Sequence, residues 1–119
     1  MTRLIIVIGL FLLVPYLPVG RASVYAAVLI NEICPKECGA EKTQWIELYN
    51  NGNNLVSLAE WKLENVGGDK KTYTIPPETT IGAHGFATFD RAQTAINLYS
   101  EGDTVKLFDA GNAVVDSQG

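Results

Sequence analysis

"TQWIELYNNGNNLVSLAEWKLEN", residues 43–65, is the stretch that decides the fold prediction for this chain. Two runs rich in β-branched and aromatic residues flank an Asn/Gly-rich segment whose residues tolerate the positive φ angles of tight turns. The pattern predicts two consecutive strands. Glu47 lies among Trp45, Ile46 and Leu48. It is therefore either a reactive carboxylate or a structural one, and the difference separates an enzyme from a binding module.

Outside this stretch, short apolar runs recur between turn signals made of Gly, Asn and Pro. Many short strands at such spacing predict an antiparallel β-sandwich of about seven strands. Residues 91–99 have room for a short helical turn but are interpreted as a connecting loop. The predicted strands are 27–33, 44–50, 58–65, 72–75, 86–90, 104–109 and 113–117.

Alternation within these runs predicts which side chains face the core. In 58–65, Ala59, Trp61 and Leu63 share one face, and Trp61 therefore suits the core better than Trp45. In 104–109, Val105 and Leu107 do the same. The "IPPE" segment at 75–78 lacks two backbone donors, which predicts a sheet edge or an exit from the sheet.

The first 26 residues have the features of a secretory signal peptide. Arg3 precedes an uncharged apolar run at 4–14, and a small-residue segment follows with Val24 and Ala26 at the cleavage-site positions. Cleavage is predicted between Ala26 and Ala27, which leaves a single domain at 27–119. A retained membrane anchor is the alternative, but a spanning helix needs about 20 apolar residues and this run is shorter.

The domain is acidic. Residues 1–26 hold two of the nine basic residues and none of the thirteen acidic ones, so residues 27–119 carry a formal charge of 7 − 13 = −6. Such a surface repels phosphate backbones, and the sequence has no basic stripe, which disfavours nucleic-acid binding. Membrane contact is expected only through the N-terminal segment, if it stays uncleaved.

Two cysteines, Cys34 and Cys38, lie in "CPKECG". Export places them in an oxidising compartment, so a disulfide that closes a tight loop is the favoured interpretation. The alternative is half of a zinc site. Zinc takes four ligands, usually Cys or His, and His84 is the only histidine of the sequence.

Several segments in order resemble the lamin tail domain family: "VLINEI" at 28–33, "QWIELYN" at 44–50, "LAEWKLEN" at 58–65, "GFATFD" at 85–90 and "GDTVKLFDAGNAVVDS" at 102–117. The resemblance implies an immunoglobulin-like β-sandwich with no catalytic residues to carry over, and bacterial members that resemble it are exported or surface-attached. The "CPKEC" segment, interpreted as an insertion between the first two strands, departs from the pattern. The family-pattern residues are Asn31, Glu32, Trp45, Glu47, Leu48, Asn50, Trp61, Gly102, Asp103 and Asp116.

An enzyme hypothesis depends on Glu32 and Glu47, with Asp116, as acid–base carboxylates. That chemistry needs a concave site, for which a small sandwich is expected to have little room. A calcium site at these carboxylates and Asp103 is a further option, although no loop has the clustered acids of a calcium motif. The favoured interpretation of Glu47 is structural, with backbone donors at a turn or a lysine as its partner.

Other candidates are weaker. Ser117 follows Asp116 without a histidine placed for a triad, and His84 lies in a Gly-flanked turn. An exposed Tyr49 or Tyr73 suits a contact surface.

We therefore predict an exported or cell-surface, non-enzymatic interaction module that needs no cofactor and binds a protein or cell-surface component. The alternative is an accessory domain of a secreted nuclease or phosphoesterase whose catalytic part is encoded beyond residue 119. The coding sequence downstream of Gly119 would separate the two.

Overall fold

The computed structural model describes residues 27–38, 43–99 and 103–119 of the chain. The predicted signal peptide, including Ala26, lies outside these residues. The elements in chain order are β1 (Val28–Cys38), β2 (Thr43–Asn50), β3 (Val56–Ser57), β4 (Lys62–Asn65), β5 (Thr72–Thr74), β6 (Thr80–Ile81), β7 (Phe86–Asp90), α1 (Arg91–Thr94), β8 (Val105–Phe108) and β9 (Val114–Gln118).

The strands form two main sheets and one small one. A three-stranded sheet has the order β1-β2-β7, a four-stranded sheet has the order β5-β4-β8-β9, and β3 pairs with β6 alone. Every pairing is antiparallel. The prediction of an immunoglobulin-like antiparallel sandwich is confirmed.

The core lies between the inner faces of the two main sheets. In β2, Ile46 and Leu48 are buried, and in β8 Val105 and Leu107 are buried, each pair separated by a more exposed residue. This period of two is what a one-sided strand requires. The buried core cluster is Val28, Ile30, Ile46, Leu48, Leu58, Leu63, Ile75, Ile81, Phe89, Ile96, Leu98, Val105 and Leu107.

The prediction of one strand at 58–65 is wrong in its first half. Glu60 has a φ of 65°, and the backbone nitrogen of Trp61 donates to the carbonyl of Leu58, so this part is a turn. Extended alternation therefore begins only at β4, and Ala59 does not share a strand face with Leu63. Trp61 nevertheless packs, partly buried, against the core.

The interpretation of 91–99 as a loop is also wrong at its start. Asp90 caps the short helix α1, because its side chain accepts a hydrogen bond from the backbone nitrogen of Gln93 at 2.8 Å. Ala95 ends the helix in the left-handed conformation. The short strands β3 and β6 are additions to the predicted set.

The "CPKEC" segment is not an insertion between strands. It forms the end of β1, in which Cys34 pairs with Trp45 and Cys38 pairs with Thr43 of β2. The two strands thus extend as a long hairpin.

A bulge in β1 decides where Glu32 points. The register with β2 shifts between Ile30 and Glu32, so that Asn31 is the extra residue. Val28 and Ile30 are buried, and an unbroken alternation would place Glu32 on the core face as well. Because of the extra residue, Glu32 is exposed and lies directly opposite Glu47.

Different contacts join the two main sheets at their two sides. On one side, the Asp116 carboxylate of β9 accepts a hydrogen bond from the backbone nitrogen of Ile30 in β1 at 2.8 Å. On the other side, Tyr73 of β5 packs against Phe89 of β7, with ring centroids 6.0 Å apart. The hydroxyl of Tyr73 also accepts a hydrogen bond from Gln93. Across the described ranges, no helix is long and apolar enough to span a membrane.

Candidate interaction surface

The outer face of the three-stranded sheet carries a row of apolar side chains across all three strands. The register places Leu29 of β1 opposite Tyr49 of β2, and Tyr49 opposite Phe86 of β7. The rings of Tyr49 and Phe86 stack with centroids 4.7 Å apart at an angle of 31°. Phe86 is 58% exposed although it is a large apolar residue. We call Leu29, Tyr49 and Phe86 together the aromatic row.

The next row of the same face is acidic. Glu32 lies opposite Glu47, and Glu47 lies opposite Thr88 of β7. Like charges that face each other across a strand pair destabilise a sheet. The only ion pair among the described residues joins Lys70 to Glu64, on the other sheet, so neither carboxylate of this row has a basic partner there.

Glu47 does have a hydrogen-bond partner. The side-chain amide of Asn31 donates to Oε1 of Glu47 at 2.9 Å. The partner is thus a neighbouring side chain in the β1 bulge, neither the turn donors nor the lysine that we expected. The amide holds the carboxylate in place and leaves its charge uncompensated.

Asp116, the third carboxylate of the enzyme hypothesis, is committed elsewhere. Its Oδ2 accepts from the backbone of Ile30, and its Oδ1 accepts from the backbone nitrogen of Ser117 at 2.9 Å. Both oxygens therefore join backbone segments. Glu32 and Glu47 come together as expected, and Asp116 does not join them in an acid–base group.

Asp103 is the most fully bonded carboxylate of the structure. It is 7% exposed, and it accepts hydrogen bonds from the Asn65 amide and from the backbone nitrogens of Gly67, Tyr99 and Thr104. Burial raises its pKa, but these four hydrogen bonds outweigh burial and hold the pKa below the usual value of 3.8. A carboxylate held ionised in this way organises the surrounding loops.

Two buried asparagines end strands and organise the turns after them. The Asn50 amide donates to the carbonyls of Asn54, Ile81 and Gly82, and its oxygen accepts from the backbone nitrogen of Gly52. At the end of β4, the Asn65 amide donates to the carbonyl of Gly67, and its oxygen accepts from the backbone nitrogen of Lys71. Our residue-by-residue prediction missed Asn65. The available signal was an asparagine at a strand end shortly before a Gly-rich turn.

The remaining predicted residues have simple positions. Cys34 is 1% exposed and is not a free thiol, while the Cys38 side chain lies outside the described residues, so their pairing stays a prediction. His84 has a φ of 57° in an exposed turn and hydrogen-bonds Asn53. Trp45 is half-buried on the outer-face register of β2, Leu48 is in the core, and Gly102 lies outside the described residues.

An open cleft of about 310 Å³ lies between the bulged part of β1 and the segment around Tyr99. Glu32 and Asp103 line it. This volume is at the small end of the range for ligand pockets. The Asp103 carboxylate is already saturated with hydrogen bonds, and within the described ranges no three His, Cys, Asp or Glu residues are grouped to hold a metal ion.

Comparison with protein families identifies a match over nearly the whole chain. The family model described as Lamin Tail Domain matches residues 21–119, which is most of the chain and all of its described part. No curated protein matches the chain.

Proposed function

Because this chain belongs to the lamin tail domain family, we propose that it is an exported interaction module that binds a protein or cell-surface component through the outer face of its three-stranded sheet. The family's domain is an immunoglobulin-like, non-catalytic fold that commonly serves in binding. The proposal adds three points to this general role. The domain is exported, it binds through one particular face, and it catalyses no reaction.

The aromatic row is the observation that carries the proposal. A folded domain can place scattered apolar residues on its surface, but here three of them lie side by side in register across three strands. Phe86 is 58% exposed and stacks on Tyr49 within this row. Tyr is among the residue types that contribute most to binding at protein interfaces, and Phe is enriched there.

The positions of the carboxylates support a non-catalytic role. Asp103 and Asp116 use their oxygens to hold backbone segments, and Glu47 is oriented by Asn31. General acid–base catalysis requires a carboxyl group that is free to exchange a proton with a substrate. Turnover of a phosphoester or a glycoside by the purified domain would contradict the proposal.

Export rests on the first 26 residues of the sequence, which have the signal-peptide pattern. Intact mass of material recovered outside the cell should place the N-terminus at Ala27. In the same material Cys34 and Cys38 should resist thiol reagents until they are reduced. A retained N-terminal segment would instead indicate a membrane anchor.

Binding is tested with a matched pair of surface variants. Phe86→Ser removes the most exposed ring of the aromatic row, and Val114→Ser is the control, because Val114 is 56% exposed on the other sheet. A partner identified from the cell surface and then purified should lose affinity for Phe86→Ser at least tenfold, as for a central interface residue. It should bind Val114→Ser normally. Equal affinity for both variants would rule out this face.

A further inference from the structure

Strand β7, Phe86–Asp90, forms an edge of the three-stranded sheet, and β2 is its only partner among the described strands. The backbone nitrogen of Asn50 donates to the carbonyl of Gly85. This bond determines which residues of β7 hydrogen-bond to β2 through their backbone groups. By the alternation of antiparallel pairs, Ala87 and Phe89 turn their backbone groups to β2. Phe86 and Thr88 therefore turn theirs outward, away from the sheet.

The other edges of the two main sheets are protected in ways that β7 is not. β5 runs into Pro76 and Pro77, and β1 and β9 share the hydrogen bond from Ile30 to Asp116. The β7 sequence "FATFD" has no proline and no lysine, and its register with β2 runs without a shift. Proteins usually block an exposed edge by one of these means, because unpaired backbone groups accept a further strand.

We propose that the β7 edge binds an extended segment of a partner protein in which an apolar residue and a Lys or Arg are two positions apart. The proposal rests on the proposed function and specifies which kind of partner it takes. Main-chain hydrogen bonds to Phe86 and Thr88 would supply affinity, and alternate side chains would supply specificity.

The aromatic row and the acidic row of Glu32 and Glu47 determine which side chains the added strand should carry. An added strand places one residue beside Phe86, at the end of the aromatic row, where an apolar side chain extends the row. It places the residue two positions away beside Thr88, at the end of the row that contains Glu47 and Glu32. Adjacent strands are about 4.8 Å apart, so a long basic side chain can cross Thr88 and reach the Glu47 carboxylate. The like-charge pair then gains a basic partner, which it does not have among the described residues.

A second copy of the chain suits this edge less well. Its own β7 would present Phe86, Thr88 and Asp90, none of which is basic, and the described domain is acidic. Charge complementarity therefore favours a basic partner segment over self-association.

The test uses short synthetic peptides with alternating Val and Lys on one face, and matched peptides with Glu in place of Lys. Binding is measured by fluorescence anisotropy against the folded protein. The Lys peptide should bind and the Glu peptide should not. Glu47→Gln should lower the affinity for the Lys peptide by up to about fivefold, which is the range of an exposed ion pair. Added salt should lower that affinity as well.

The edge itself is tested at Thr88. Thr88→Pro removes an outward-facing N–H and leaves the ladder with β2 intact, so binding should be lost while the thermal unfolding midpoint stays close to that of the unmodified protein. Thr88→Val is the control and should bind. If the proline variant does not fold, Thr88→Lys replaces it, since an edge lysine repels the basic peptide.

Three outcomes overturn the proposal. They are equal binding of Lys and Glu peptides, peptide binding that survives the edge variant used, or a Thr88→Pro-sensitive dimer without peptide binding. The last would assign the edge to a second copy. If a natural partner loses affinity for Phe86→Ser but binds Thr88→Pro normally, the outer face is the binding surface and only the edge proposal fails.

Discussion

The carboxylate of Asp116 accepts a hydrogen bond from the backbone nitrogen of Ile30 at 2.8 Å, and the two residues are 86 positions apart in the chain. This contact joins β9 to β1, the edges of two different sheets. The donor lies on the side of β1 that faces away from β2, where it would otherwise have no strand partner. Asp116 thus has a structural part in closing the sandwich.

Asp116→Ala should therefore destabilise the protein by about 1–3 kcal/mol, because the partly buried N–H of Ile30 loses its acceptor. Asp116→Asn keeps an acceptor oxygen and should cost less. Urea unfolding of the two variants and of Ser117→Ala, an exposed neighbour, measures the difference. If alanine and asparagine had the same effect, the loss would come from the charge and the hydrogen bond to Ile30 would have no stabilising effect.

Asp103 should make stability depend on pH in the acid range. Its pKa in the folded protein is below 3.8, so the folded state holds fewer protons on this group than the unfolded state near that pH. The resulting stabilisation is complete above the unfolded pKa and is lost as the pH falls through the lower folded pKa. The free energy of unfolding, compared between the unmodified protein and Asp103→Asn, should differ by a constant amount above about pH 5 and converge below 3.8. Asp69→Asn, in an exposed turn, is the control.

Asn50 should tolerate no substitution that removes its amide. It is fully buried, and its side chain serves three carbonyls and one backbone nitrogen. Asn50→Ala leaves several of these groups unpaired, which should cost at least about 2–3 kcal/mol in the free energy of unfolding. Asn51→Ala is a matched control, since Asn51 is the exposed neighbour. A loss of less than a few tenths of a kcal/mol would mean that water replaces the amide.

Gly68→Ala should be destabilising mainly through its backbone conformation, and it also requires the exposed Tyr99 ring to move. Gly68 has a φ of 45°, which favours glycine, and an added Cβ would overlap the ring of Tyr99. Gly82→Ala is the control, because a Cβ there meets nothing within 4 Å. Thermal unfolding should show a drop in midpoint for Gly68→Ala and little change for Gly82→Ala. In Gly68→Ala combined with Tyr99→Ala, the overlap is relieved and only the cost of the φ angle should remain.

Glu32→Gln should stabilise the domain slightly, because it removes one of two carboxylates that face each other with no basic partner in the described part of the chain. The gain should shrink as salt is added, since the charges are exposed or half-exposed. Glu78→Gln, in an exposed loop, is the control. If stability falls instead, Glu32 has a partner that compensates its charge.

Much of the fold followed from local patterns. Alternation in 104–109 predicted the buried residues Val105 and Leu107, and the prolines after β5 predicted the end of that strand. The errors lie where one residue breaks a local pattern: Glu60 turns the chain before β4, and Asp90 caps a helix of four residues. Asp is a preferred N-cap residue, so the sequence did hold a signal for the helix, but four residues are too few for a periodic pattern to support it. A glutamate at a positive φ has no such local signal.

The sequence by itself determined that this chain builds antiparallel strands with one apolar face, because the period of two and the turn residues act within a few positions of the chain. It also determined the acidic charge and the order of the family's segments. The tertiary structure alone decided which carboxylates meet. Glu32 lies opposite Glu47 only because of the bulge at Asn31, and Asp103 and Asp116 acquire donors from segments distant in the chain. Such contacts depend on strand register and sheet closure, which the burial of the whole core sets and no short stretch encodes.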